Sequence, residues 1–310
     1  MNCWDPKPKG MEISNQDVWE TEYKVQRLPE EAMIVDGSMS QSKLFENLSQ
    51  YELRSALYGT VLGDSTIRVK EECINPILQI VHHPKYRDYM LVKGQIFGQI
   101  PGIKFTVIDV IHTNHKTGKQ YPQIRAFTTT NKWLLKPMKR FYKPKKQITK
   151  GILESLTPLG IALWYMDDGH LGFQYNQARY TTDAGKQSNE RTISTRTVTL
   201  HTEGYTEQEN ILISKWLLER YGVESKIHSS HTRNLYFIWM NTTNSRKFVD
   251  IIRPYVLAVP SMHYKIDFKY RTDSIRHQEN ASEFLRFNIG YWTTEKRQEC
   301  AVPQLIGAEI

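Results

Sequence analysis

The sequence predicts an α+β fold built from two repeats that share one helical interface. Three observations carry that prediction. Two short apolar stretches, Ala56 to Gly63 and Ile161 to Met166, run directly into aspartate, at Asp64 and at Asp167-Asp168. Each is followed by the same order of elements: strand, helix, strand, strand, helix. Local echoes agree with a duplication: Thr129-Thr130-Asn131 recurs as Thr242-Thr243-Asn244 and Tyr142 as Tyr255, a shift of 113 residues, close to the 104 between Asp64 and Asp168.

In chain order, residues 1–47 lack sustained periodicity and read as an arm. The first repeat, 48–150, opens on Ser49-Gln50-Tyr51-Glu52, whose spacing is that of a capping box. Its helix is apolar on nearly every face, so it is expected to be buried. A strand over 76–83 and a helix over 85–97 follow. Strands over 103–111 and 121–129 are joined by a polar hairpin around Gly118, and a helix covers 132–142. The second repeat, 151–271, begins its helix with Thr157-Pro158, an N-cap and a first-turn proline. A polar loop is expected over 174–189 and a strand over 193–201. A helix capped by Thr206 and Glu209 runs to about Tyr221, a hairpin spans 223–240, and a last helix covers 245–255. Residues 272–310 read as a tail.

The helix ends are unusual. A carboxylate at a helix C-terminus faces the negative end of the dipole, where lysine or arginine is favoured. This chain places one there twice. A divalent cation between the paired ends would reverse the penalty, since its charge dominates the local field. Gly59 and Gly63 remove side-chain bulk at a four-residue spacing, which lets a second backbone approach that face. Asp64 and Asp168 are therefore candidate metal ligands. Asp167 is the second choice at the second helix, and the backbone carbonyls of Gly63 and Asp167 are further candidates, because helix-end carbonyls are unpaired. Magnesium suits such a site, as it binds one or two carboxylates together with water and phosphate.

ALYGTVLGDS and IALWYMDDG resemble the two copies of the signature of LAGLIDADG homing endonucleases, and LTPLGIALWYMDDG with PSMHYKI is similar to the single-chain, two-motif members encoded in mobile introns. The resemblance runs from about Leu48 to about Lys269, with Ser65 where the signature has glycine. It implies two pseudo-symmetric αββαββα repeats, each with a curved antiparallel sheet, packed through the motif helices. It implies that Asp64 and Asp168 are the catalytic metal ligands, with a lysine after each repeat's last helix: Lys145 or Lys146, with Lys146 preferred, and Lys265. It also implies that the concave sheet faces read a DNA major groove. Strand alternation then makes Lys104, Gln123 and Arg125 candidate readers in the first repeat, and Thr197, Thr199, Lys226, His228 and Arg233 in the second.

Charge agrees with a nucleic-acid partner. The chain of 310 residues carries a formal net charge of +8, and residues 131–150 hold eight Lys or Arg and no acid. Lys132, Lys136, Lys139, Lys143 and Lys145 in that block are expected to touch phosphates rather than bases. No apolar run approaches the ~18 residues of a membrane span. Three scattered cysteines and a start without an apolar core lead to the expectation of a reduced, intracellular protein, in the cytoplasm or an organelle. The functional expectation is a monomeric, Mg²⁺-dependent endonuclease cutting a long non-palindromic double-stranded DNA site. Two rivals share the fold: a maturase binding intron RNA, and a DNA-binding module without catalysis. Both Asp64 and Asp168 being present favours the nuclease.

Overall fold

The computed structural model describes residues 23–27, 33–35, 42–70, 73–143, 145–181, 187–230 and 235–268. The first repeat contains helix α1 (Gln50–Leu62), strands β3 (Ser65–Arg68) and β4 (Ile77–His82), helix α2 (Arg87–Phe97), strands β5 (Phe105–Asn114) and β6 (Gln120–Thr128) and helix α3 (Leu135–Phe141). A short helix α4 (Lys150–Leu153) leads into the second repeat: α5 (Pro158–Asp168), β7 (Gly169–Thr181), β8 (Gln187–Leu200), α6 (Glu207–Tyr221), β9 (Lys226–Ser230), β10 (Leu235–Met240) and α7 (Thr242–Leu257). A 3-10 turn, Pro260–Lys265, follows. The order is the one expected from the duplication, with a strand directly after each signature helix.

Two differences from the sequence reading stand out. The residues before the first repeat contribute β1 (Tyr23–Arg27) and β2 (Met33–Val35), both paired antiparallel with β5. Such strands of five and three residues on a sheet edge leave little periodic signal. The polar loop expected over 174–189 is mostly strand, because β7 continues to Thr181 and β8 already begins at Gln187. Its polar composition hid the alternation of Leu171, Phe173 and Tyr175, which is the period of a strand.

The first sheet has the order β1-β5-β6-β4-β3 with β2 also on β5, and the second β7-β8-β10-β9. The molecule divides into two compact units. The first holds both signature helices and spans residues 1–172 and 196–267; the second holds 173–195 and 268–310, so β7 and β8 leave the first unit after Gly172 and re-enter it at Arg196.

Within the first unit the core centres on α1 and α5. Residues 55–62 of α1 and 159–166 of α5 are buried without interruption, as their all-round apolar surfaces require. The two backbones meet at glycine. A Cβ on Gly59 would overlap the Gly160 carbonyl, and one on Gly160 would lie 2.5 Å from the Ser55 carbonyl oxygen. Ser55 Oγ also accepts from the Thr157 amide at 2.7 Å and from Thr157 Oγ1 at 2.9 Å, which ties the N-terminus of α5 to α1.

Gly59→Ala should therefore destabilise the chain by at least about 1–3 kcal/mol, because backbone cannot move aside as a flexible side chain can. Gly151→Ala, at a helical position with open space around it, should instead be neutral or stabilise by about 0.4–1 kcal/mol. Urea unfolding of the two variants measures the contrast.

Candidate active site at the paired helix ends

Neither α1 nor α5 has a basic residue in its own last turn. The missing positive charge arrives from elsewhere in the chain. Lys146 Nζ donates to the carbonyls of Leu62 (3.2 Å) and Gly63 (3.0 Å) at the end of α1. Lys265 Nζ donates to those of Tyr165 (3.4 Å), Met166 (2.5 Å) and Asp167 (3.3 Å) at the end of α5. Each lysine satisfies carbonyls that a helix end leaves open and offsets its dipole. The Gly63 and Asp167 carbonyls offered to a metal by the sequence are thus engaged by ammonium groups, each keeping a second lone pair. Lys145 is exposed, so of that pair only Lys146 reaches the helix end. Two tyrosines fix the arrangement: Tyr205 OH donates to Leu62 O (2.9 Å) and Tyr165 OH to Lys265 O (2.6 Å).

Three carboxyl groups gather at these ends. Asp64 is half exposed, with 46% of its side chain accessible. Burial and then the Asp167 charge raise its pKa, against the lowering effects of Lys93, Lys265 and Lys146. Asp168 is pushed up to about 7, first by burial and then by Asp64 and Asp167, with Lys146 and Lys265 opposing. Burial lowers Lys265 to about 8 and also lowers Lys146, although all three carboxylates favour both ammonium groups. Burial, more than any shortage of positive charge, makes ionising Asp64 and Asp168 together costly without a cation. The donor set, two carboxyls with free oxygens beside helix-end carbonyls, fits a hard divalent ion.

The third carboxyl is different. The Asp167 side chain is fully buried and projects past Gly63, where any Cβ would collide with it. Lys93 Nζ on α2, also fully buried, holds its two oxygens at 2.8 and 3.0 Å. Tyr89 OH donates to Oδ1 at 2.9 Å, and the Asp64 backbone N–H points to Oδ2 at 3.3 Å. His82 Nε2 lies 3.0 Å from Lys93 Nζ. An ammonium only donates, so Nε2 accepts and the ring proton sits on Nδ1, facing Asp64 Oδ2 at 3.6 Å. Burial, and then Lys93, lower the His82 pKa to about 3 and keep it neutral. Asp64, His82 and Asp167 present ligand atoms within 4.8 Å of one another, yet Lys93 already supplies the cation there.

Lys93, His82 and Tyr89 were not singled out from sequence. A signal existed: Lys93 falls at core-facing spacing with Tyr89, Ile96 and Phe97, so a lysine on an apolar helix face needed a buried acid.

The predicted readers divide by strand face. Ile124, Ala126 and Thr128 are buried toward the helices, which turns Gln123 and Arg125 to the other face. There Arg125 bonds Gln123 Oε1 (3.2 Å) and contacts His112 Nδ1 (3.3 Å). Lys104 is exposed one residue before β5. A cavity of about 530 Å³ joins Asp64 and His82 to His112, Tyr121 and Gln123. In the second sheet, Val198 and Leu200 are buried, so Thr197 and Thr199 face away from them, Thr197 itself being largely covered. Lys226 and His228 pair with Trp239 and Phe237. Arg233 lies outside the described residues. Lys132, Lys136, Lys139, Lys143 and Lys145 are all exposed, in contrast to Lys146.

A model of the LAGLIDADG DNA endonuclease family matches residues 54–248, which takes in Asp64 and Asp167-Asp168 at the two helix ends. The chain belongs to this family. It is 31% identical over 126 residues to "Probable intron-encoded DNA endonuclease 3" of Mycosarcoma maydis, a match covering 40% of this chain and 75% of that protein. It is 24% identical to "Protein RecA" of Mycolicibacterium flavescens over 70% of this chain, which spans only 46% of that relative. Its identity to the "Cytochrome b mRNA maturase bI2" of Debaryomyces hansenii is 23%, over 69% of this chain and 73% of that protein. Among solved structures, the homing endonuclease I-WcaI bound to its DNA recognition sequence superposes with a TM-score of 0.56 at 23% identity, covering 74% of this chain and 92% of that one. That likeness establishes the LAGLIDADG fold. Among the described residues no helix is long and apolar enough to cross a membrane.

The raised Asp168 pKa has a consequence for stability. Its carboxyl is harder to ionise folded than unfolded, so its contribution is favourable below about pH 4 and lost as pH rises through about 7. In chelator, Asp168→Asn should raise the melting temperature most at pH 8 and by clearly less at pH 5, because the penalty grows from about pH 4 to about pH 7. Thermal melts of both proteins at the two pH values measure this.

Proposed function

We propose that this chain is a site-specific DNA endonuclease that uses Mg²⁺ to hydrolyse both strands of a long, non-palindromic duplex, acting as a monomer. The observation that carries the reading is the meeting of Asp64 and Asp168 at two helix ends where ionisation is penalised without a cation. Bound divalent ions would supply a nucleophilic water at neutral pH and neutralise charge on the leaving oxygen. Asp64 and Asp168 would hold them. Lys146 spends two hydrogen bonds on carbonyls and keeps a third donor for a scissile phosphate or its water. Lys265 spends all three on the end of α5, so its part is charge and the placement of Asp168. We assign base contacts to Gln123 and Arg125 on one sheet and to Thr199, Lys226 and His228 on the other, supported by their sheet faces, and phosphate contacts to the exposed lysines of 132–145. Two unlike repeats supply two unlike half-sites, so one chain suffices.

Exposing a randomised DNA pool to the protein with Mg²⁺ and sequencing the new ends should return a single asymmetric target. Asp64→Asn and Asp168→Asn should each abolish double-strand cleavage and leave binding intact. Near wild-type cutting by either variant would remove that residue from the metal site. A second reading, binding of intron RNA, is favoured by the similarity to the maturase; retention of a structured RNA, with no DNA cut in the pool, would select it.

The basic block gives a separate test. Replacing Lys136 and Lys139 together should lower the slope of log affinity against log salt by up to about two on cognate and random DNA alike. Arg125→Ala should instead relax the preference at one or two base positions. A change of base preference in the lysine double variant but not in Arg125→Ala would contradict this division.

A further inference from the structure

The two helix ends are not equivalent. Gly63 and Asp167 hold the same place in the two signatures, directly before Asp64 and Asp168. Only the second carries a carboxylate. That carboxylate does not stay with its own repeat. It crosses the interface into a pocket made by the first repeat, where Lys93, Tyr89 and the Asp64 amide surround it. Tyr89 OH also reaches the Leu163 carbonyl at 3.1 Å, so α2 grips α5 at two adjacent points. The turn carrying Lys265 docks on the same helix, with the Ser261 amide on Asp88 Oδ2 (2.8 Å) and the Tyr264 and Tyr86 hydroxyls 3.0 Å apart. Among the described residues no side chain clamps the Asp168 carboxyl in this way, and the His201 amide donates to its backbone carbonyl at 2.9 Å.

We propose that Lys93 and Asp167 are a positioning pair that fixes Asp64, and with it the rate at which one of the two DNA strands is cut. This rests on the endonuclease reading. The Lys93 ammonium is a resident cation. It locks the Asp167 carboxylate, and the locked carboxylate holds the amide of Asp64 just where α1 ends. Neither residue touches the reacting atoms. Asp64 is half exposed on a turn, and apart from the His82 ring, 3.6 Å from Oδ2, this backbone anchor is what ties it to the buried interface. Displacing a catalytic group by about 1 Å costs on the order of a hundredfold in rate. The cost should fall on one strand, because Asp168 is held by other contacts.

Lys93→Met alone strands a buried carboxylate and endangers folding, so the pair is changed together. Lys93→Met/Asp167→Leu replaces a buried ion pair by apolar groups of similar volume, an exchange that proteins often tolerate. Lys93→Met/Asp167→Asn removes the charges but leaves an acceptor for the Asp64 amide. Two readouts are taken on the full chain. The first is hydrogen exchange at the Asp64 amide relative to the interior of α1. The second is the single-turnover rate of each strand on the selected duplex with Mg²⁺. The Leu variant should accelerate exchange at Asp64 about tenfold or more, leave the rest of α1 protected, and shift the ratio of strand rates by roughly ten- to a hundredfold. The Asn variant should recover much of both effects. Unchanged exchange at Asp64, or an equal loss on both strands, overturns the proposal, since a merely structural role lowers both rates with the folded fraction. A wild-type chain that cuts neither strand defeats the endonuclease reading instead, and the exchange measurement alone then decides whether the pair anchors Asp64.

Discussion

The constraint on which the structure depends is the gathering of three carboxyl groups at the negative ends of two helices that touch backbone to backbone. The contact at Gly59 and Gly160 brings the helix axes together. Closeness places Asp64, Asp167 and Asp168 within reach of one another's charge, and burial together with that charge disfavours ionisation of Asp64 and Asp168. Each remaining feature of the centre answers that repulsion. Lys146 and Lys265 cover the helix-end carbonyls, Lys93 neutralises Asp167, and a divalent ion would compensate Asp64 and Asp168.

The answers are divided between covalent and borrowed charge. Lys93 is part of the chain and sealed from solvent, so its compensation of Asp167 is permanent. Asp64 and Asp168 keep accessible oxygens and raised pKa values, as the ligands of the proposed endonuclease would before a cation binds. In that reading, leaving two carboxyls unsatisfied would trade stability for reactivity. The tyrosine hydroxyls of Tyr89, Tyr165 and Tyr205 confirm the design at the level of geometry: each bonds a helix-end carbonyl, a lysine carbonyl or a carboxylate, and none faces bulk solvent.

Much of this was legible in the sequence because burial leaves strong patterns. The helices α1 and α5 were visible as all-round apolar runs with capping signals, and β4, β5, β6 and β10 as alternating or apolar strands. Their aspartate ends were visible because carboxylates there violate helix electrostatics. Strands β1 and β2 were not, being short edge strands without a turn signal of their own. The continuation of β7 past Gly172 reads from sequence as a loop because its polar residues outnumber the apolar ones. The pocket around Asp167 went unread for another reason. Lys93, His82 and Tyr89 look ordinary one at a time, and only the fold reveals that a lysine at a core-facing position meets a carboxylate 74 residues away.

Asp168, with its pKa raised toward 7, is expected to sit partly protonated until a divalent cation displaces the proton. Calorimetric titration with Mg²⁺ or Ca²⁺ in buffers of different ionisation enthalpy measures that exchange. At pH 7 binding should release about half a proton from this carboxyl, less at pH 8.5, and Asp168→Asn should abolish that component. Binding without proton release at pH 7, or release unchanged in Asp168→Asn, would contradict the account.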